Sequence, residues 1–440
     1  MNTSEARTWL LERAAERSID LEVLGTSERK LTVESREGKP SDVSMSASGG
    51  VGLRVVKDGR MGYAWTEELS QESLTWALDE AVGNAELQEE GSTAALPAGQ
   101  ALGRHDLLDE GLSAPLDAKK NAAIDYENSI SSEPRLQALQ AARYSESQSE
   151  VEISSSRGAS GAFRSGHGLL MSAVVLREGE SVKQGYGVEV KRDFHQLEPG
   201  RTALEHVAAI SRHLGAKPLS TGRRRAIFEP EITTTLLTLL TMSLSGKSLA
   251  EGKSLLAGRL GEKIASEAIT LIDDPFVADG LANRPFDAEG TPSQQLVIID
   301  KGVFRSFMHN SDTAARTGQA NTAHGSRSYR STLTVAPTNL LLQPGSSQVT
   351  QQDGTIIVTD VMGVHAGANP ITGDVSVQAM GLEVSGGELS PVDNFAISFN
   401  LFKVLERVEE VGNDFEWKPG YSGIMGAPSI SIADVSFGGS

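Results

Sequence analysis

Apolar positions along the first half alternate between two periods. Leu10, Ala14 and Arg17 continue at helical spacing from Ser4, a candidate N-cap, which predicts an opening helix. Leu21 and Val23, then Leu31 and Val33, alternate with polar residues in the manner of strands. Leu53–Val56 and Met61–Trp65 flank Lys57-Asp58-Gly59-Arg60, a hairpin signal because Asp and Gly tolerate the positive φ of a tight turn. Leu74, Ala77, Leu78, Ala81, Val82 and Ala85 form the stripe of an amphipathic helix, capped by Ser70. Residues 91–115 are unpatterned and read as a surface connection. Helical stretches are expected near 116–130 and 133–142. A strand meander follows from Val151 to Lys191, with its clearest turn at Arg177-Glu178-Gly179-Glu180, and a helix over 200–214 closes this half.

The polar stretch from Lys217-Pro218 to Arg225 separates that helix from a new strand, Ala226–Phe228. It divides the chain into an N-terminal domain, 1–217, and a strand-rich C-terminal domain, 218–440. The second domain opens with one uncharged, buried helix near 231–245, with Ile232, Leu236, Leu239, Leu240 and Leu244 on one face. Strands are then expected at 296–299 and 303–308 around Asp300-Lys301-Gly302, and at 355–361, 375–377, 382–384, 389–392 and 395–399. A helix carrying Leu401, Val404, Leu405, Val408 and Val411 precedes a last strand with Ile430 and Ile432. With many hairpins and little βαβ rhythm, the expected class is α+β, two domains of mixed helix and mostly antiparallel sheet.

Composition narrows the function. Forty Lys and Arg against 58 Asp and Glu leave a net charge of −18, which disfavours general nucleic-acid binding. With no cysteine there is no disulfide, thiolate metal site or cysteine nucleophile. The start shows no basic and apolar leader, and the uncharged run around 232–245 is too short for a membrane span. A cytoplasmic protein without nucleic-acid or membrane partners is therefore expected.

Motifs for chemistry are sparse. No two histidines stand four or five residues apart, so no helix offers paired imidazoles to a metal; His206 and His213 share a helix face seven residues apart but read as surface or capping residues. There is no G-x-S-x-G elbow and no Walker A sequence. Gly49-Gly50-Val51-Gly52 precedes a strand and reads as a flexible approach to the hairpin. Asp273-Asp274 and the loop Phe286-Asp287-Ala288-Glu289-Gly290 gather carboxylates at strand ends, where turn-making is the ordinary role and acid–base or metal work the alternative. Gly363–Asp374 mixes small, turn-forming and polar residues, suited to the close approach of an extended peptide or a subunit. Val411-Gly412-Asn413-Asp414 reads as a helix stop.

The order of these motifs resembles the TldD/PmbA peptidase family. Gly246, Gly261-Glu262-Lys263, Asp273-Asp274, Phe286–Gly290, Gly302, Ala315-Arg316 with Gly318, Pro337-Thr338-Asn339, Pro344-Gly345, Asn369–Asp374 and Val411–Asp414 succeed one another over nearly the whole second half. The first half agrees more loosely. In the metal-bearing TldD branch, H-E-x-x-x-H on a helix and a later cysteine hold zinc, with the Glu as general base. Counting without gaps places Leu237, Thr238 and Met242 at those motif positions here. The chain thus looks like the PmbA branch, also called TldE.

That resemblance implies a metallopeptidase subunit without its own catalytic metal or catalytic residues, paired with a TldD-like subunit that carries zinc. The pair would enclose a cavity for unfolded peptides, for degradation or processing. Asp287, Glu289, Gly290, His365, Asn369, Thr372, Gly373 and Asp374 are the candidate peptide or subunit contacts. A stand-alone homodimer that binds peptides without cutting them is the alternative reading. An unrelated hydrolase using Asp273, Asp274, Asp287 and Glu289 is a third.

Overall fold

The computed structural model describes residues 1–88, 95–420 and 423–439. The N-terminal half runs α1 (Thr3–Glu16), β1 (Asp20–Arg36), β2 (Lys39–Lys57), β3 (Arg60–Thr66), α2 (Gln71–Glu86), β4 (Ala101–Asp106), α3 (Leu116–Ser131), β5 (Leu136–Ser155), β6 (Ser160–Glu178), β7 (Ser181–Lys191) and α4 (Pro199–Ser211). Its strands form one sheet in the order β3-β2-β1-β5-β6-β4, with β7 also paired to β6. All its pairings are antiparallel except β4 on β6. Leu10, Leu74 and Leu78 of α1 and α2 pack on Leu21, Val23 and Leu53. Farther along the same long strands, α3 and α4 pack on Leu31, Val33, Tyr144 and Leu170.

The C-terminal half contains β8 (Lys217–Pro218), β9 (Gly222–Phe228), α5 (Pro230–Leu244), α6 (Gly246–Ala250), β10 (Leu271–Asp273), β11 (Leu296–Asp300), β12 (Val303–Phe304), α7 (Ser311–Thr317), β13 (Gly325–Ser326), β14 (Thr334–Val335), β15 (Asn339–Leu342) and β16 (Ile356–Met362). Then come α8 (Val364–Gly367), β17 (Asp374–Ser385), β18 (Glu388–Asn400), α9 (Leu401–Glu406), β19 (Val408–Val411), β20 (Glu416–Gly420), β21 (Gly423–Ala427) and β22 (Ile430–Gly438). The larger sheets are ordered β12-β11-β10-β15-β21-β20 and β19-β22-β9-β16-β17-β18-β8. Leu236, Leu237, Leu240 and Leu244 of α5 share one core with Phe228, Ile298, Phe304, Leu340, Val358 and Phe395, so this helix knits the two sheets together. The result is the expected α+β fold with mostly antiparallel sheet.

Several elements differ from the sequence reading. The opening helix is capped by Asn2, not Ser4: the Asn2 side chain accepts from Glu5 N while Glu5 accepts from Asn2 N, a reciprocal capping box. The helix expected at 133–142 is the start of β5. Register shifts between Leu136 and Ala138 and between Leu139 and Ala141 break the two-residue alternation there, so its apolar spacing imitates a helix. Residues 101–106, expected in a connection, add a parallel strand to β6; 89–94 lie outside the described residues. Val408 and Val411 leave the helix and pair with Ile432 and Ile430, so Val411–Asp414 is a strand end and not a helix stop. Asp414 instead accepts from Ser429 N and its hydroxyl. The short runs at 375–384 and 389–399 merge into β17 and β18, whose bulge between Ala379 and Gly381 interrupts the pattern.

Candidate functional site

A cleft of about 1560 Å³ opens between the two halves. One wall is α5 and the segment after it, from Glu231 through Thr235, Thr238 and Met242 to Ser245 and Lys247. The facing wall comes from β7 and α4, with Tyr186, Val188 and His206. Asp360, His365, Pro370 and Lys418 close the sides. The sequence predicts an uncharged, buried helix near 231–245. The structure corrects this: Leu236, Leu237, Leu240 and Leu244 are buried, but Met242 is 38% exposed and the Thr side faces the cleft. Threonine suits such a wall because its hydroxyl can bond within its own helix. Thr235 donates to Glu231 O and Thr238 to Thr234 O, which leaves a neutral lining.

Leu237, Thr238 and Met242 do not share one environment. Leu237 is in the core, whereas Thr238 and Met242 line the cleft. They supply no imidazole, carboxylate or thiolate, and the chain has no cysteine, so this donor set does not fit zinc. Among the described residues, no group of three His, Cys, Asp or Glu side chains is placed to hold a metal ion.

The start of α5 carries one group of charges in the cleft, Glu231 with Asp360 and Lys418, and Lys247, Glu251 and Lys253 line it beyond the helix. Enclosure by protein pushes the Glu231 carboxyl above its usual range, with Asp360 and Glu416 adding to the shift and Lys418 opposing it. Burial also raises Asp360. Burial by itself would lower the Lys418 ammonium, but Glu416, 2.7 Å away, and Glu231 outweigh that and raise it. On the facing wall, burial and then Lys418 lower His206 to about 4, so its imidazole is neutral at pH 7. Its Nδ1 lies 2.5 Å from the buried Tyr126 hydroxyl, itself 2.8 Å from Ser172 Oγ. His213 is bonded separately, to Thr359.

The acidic loop lies elsewhere. Asp287 and Glu289 are 2% and 1% exposed, and neither lines the cleft. Asp287 accepts from the backbone of Glu289, Thr291 and Gly325, while Glu289 accepts from Ser311 and Arg54. Burial, then the Glu289 charge, raises Asp287 to about 6 against the opposing Arg284. Gly290 sits at φ +75° in this turn. Asp273 is likewise internal, accepting from Thr338 and bonded to His324. These acids build a joint. Arg54 and Glu22 from the first half meet Glu289 and Arg327 from the second, all fully buried. Sequence reasoning missed the joint because Glu22 and Arg54 sit in ordinary strand patterns. The glycines at 49–52 were the available signal: a Cβ on Gly52 would lie 2.3 Å from Tyr329 O, so they admit the other half of the chain.

The loop Asn369–Asp374 forms a self-capped turn at the cleft margin. Asn369 Oδ1 accepts from Ile371 N and Thr372 N, and Gly373 takes φ +78°. Hydrogen bonds from Asn400 and Thr372 hold the Asp374 carboxyl below its usual range. His365 and Pro370 line the cleft; Asn369, Thr372, Gly373 and Asp374 are not in its lining.

Family models described as PmbA/TldA metallopeptidase domain 1 and C-terminal domain match residues 21–85 and 221–439. The chain belongs to the TldD/PmbA metallopeptidase family. It is 26% identical over 440 residues to Metalloprotease PmbA of Escherichia coli O157:H7, covering 98% of this chain and 95% of that protein. A PmbA homolog of Haemophilus influenzae is 27% identical over 94% of this chain and 91% of its own length. The crystal structure of TldE from Thermococcus kodakarensis superposes with a TM-score of 0.85 at 23% identity, over 98% of this chain and 100% of that one. A Thermotoga maritima protein described as a modulator of a DNA gyrase superposes at 0.86 and 23% identity, over 99% and 100%. These two establish the shared fold. Among the described residues, no helix is long and apolar enough to cross a membrane.

Proposed function

We propose that this chain is the PmbA/TldE-like subunit of a cytoplasmic heterodimeric zinc metallopeptidase that degrades or processes unfolded peptides. Its role is to form part of the peptide chamber, while a TldD-like partner brings the metal. The observation that carries this is α5. It faces a peptide-sized cleft with Thr238 and Met242, and buries Leu237, at the positions where a metallopeptidase of this family needs imidazoles and a general base. The whole-length match to relatives named metalloprotease PmbA supports the family chemistry.

Native mass spectrometry of the tagged chain from its own cells, paired with assays on unfolded polypeptide, tests this. The expected result is a complex with a second, different chain and one zinc, with chelator-sensitive cleavage by the complex alone. Robust zinc-dependent cleavage by this chain alone would overturn the reading. A metal-free homodimer that holds peptides uncut would establish the stand-alone binding role instead.

A further inference from the structure

The cleft runs the full length of α5 and changes character along it. In the first turn stands Glu231, and Asp360 lines the same cleft. The nearby cation, Lys418, is held on Glu416 at 2.7 Å, so the Glu231 and Asp360 carboxylates in the lining have no ion-pair partner among the described residues. Thr235, Thr238, Leu239 and Met242 follow and carry no charge. Past the far end comes Lys247, in no ion pair among the described residues, beside Lys253, which is paired to Glu251 at 2.7 Å. A negative end and a positive end are thus separated by a neutral floor.

The length of the neutral floor is set by the helix, and Lys247 follows in α6 just past its end. Fifteen residues of α5 rise about 22 Å at 1.5 Å per residue. An extended peptide advances about 3.3 Å per residue, so about seven residues cover that length. From this charge complementarity we infer that the cleft selects oligopeptides of about seven residues by their free ends, the α-ammonium at Glu231 and Asp360 and the α-carboxylate at Lys247. This rests on the peptide-chamber reading above and adds a length and an end-group requirement. Neutral side chains suit the middle, because a charge there would lose water without meeting a partner.

Calorimetric titration of the full chain at low salt tests it. The probes are zwitterionic peptides of Ala, Thr and Leu with three, seven and twelve residues, plus the N-acetyl and C-amide forms of the seven-residue peptide. The seven-residue zwitterion is expected to bind tightest. Acetylation or amidation should each weaken it by about five-fold, the scale of a partly screened ion pair. Glu231→Gln with Asp360→Asn should abolish the acetylation effect and leave the amidation effect. Lys247→Gln should do the reverse. Each variant's retained response shows that it is folded. Equal binding of free and blocked peptides, or affinity that climbs steadily with length, overturns the inference and leaves the peptide chamber standing. Failure of every peptide to bind overturns the inference, and the chamber reading is decided separately by the zinc-dependent complex.

Discussion

Arg54 Nη1 and Glu289 Oε1 meet at 2.7 Å with neither side chain exposed, although 235 residues separate them in the chain. The other arm of the same guanidinium holds Glu22 Oε2, also at 2.7 Å. Burial by itself would lower the Arg54 pKa, but the two carboxylates outweigh it and keep the ion charged. Removing this cation leaves Glu289 buried without a counter-charge and Glu22 with Arg327 alone, which costs far more than the pair contributes net. Arg54→Met should therefore destabilise the chain by about 3–5 kcal/mol, read as a lower urea midpoint.

Two glycine substitutions should separate close approach from ordinary helix propensity. A Cβ at Gly52 would lie 2.3 Å from Tyr329 O, whereas one at Gly83 in α2 meets nothing within 4 Å. Gly52→Ala should cost about 1–3 kcal/mol by forcing the halves apart. Gly83→Ala should stabilise by about 0.5–1 kcal/mol. Thermal melts of the two variants beside the parent chain check both signs.

The histidines of the α4 region should make the fold acid-sensitive. Burial is the leading cause that lowers both His206 and His213 to about 4. Between their ordinary value near 6.5 and pH 4, the unfolded chain binds the extra protons, so stability rises with pH across that window. Each contributes at most about 1.4 kcal/mol per pH unit, less for the partly exposed His206. Asp287, raised to about 6, works in the opposite direction. The informative measurement is therefore a difference. From pH 6.5 to 4, the wild type should lose about 1–3 kcal/mol more stability than the His206→Gln, His213→Gln variant, as measured by urea unfolding.

Grafting the family's metal motif should fail in this chain alone. Leu237→His with Thr238→Glu and Met242→His puts one imidazole into the core and the other on the cleft. The buried polar group should cost about 1–3 kcal/mol, and the chain has no cysteine to complete the site. A lower melting temperature and less than stoichiometric zinc after dialysis, measured by plasma emission, are expected.

The elements that read correctly from sequence are those with unbroken periodicity or a local turn. The stripe Leu74–Ala85 with its Ser70 cap is one, and the Asp58-Gly59 hairpin, with φ +51° and +73°, is another. Misreadings cluster where tertiary pairing perturbs the period. The bulges at Leu136–Ala141 make a strand look helical, and Val408 and Val411 keep helical spacing after the chain has become a strand. The motif positions of the family were legible in order, because turns and caps use local residue types.

Sequence alone therefore determined the class, the periodic helices and hairpins, the family, and the lack of zinc-ligand chemistry at Leu237, Thr238 and Met242. Each depends on residues near one another in the chain or on composition. Tertiary structure decided what faces what. It turned the acids Asp287 and Glu289 inward onto Arg54 and opened the Thr side of α5 to a cleft. It also brought Glu231 and Lys247 into the lining of that one cleft. Burial and charge pairing between segments hundreds of residues apart depend on packing geometry, and no local pattern encodes the direction in which a side chain will find its partner.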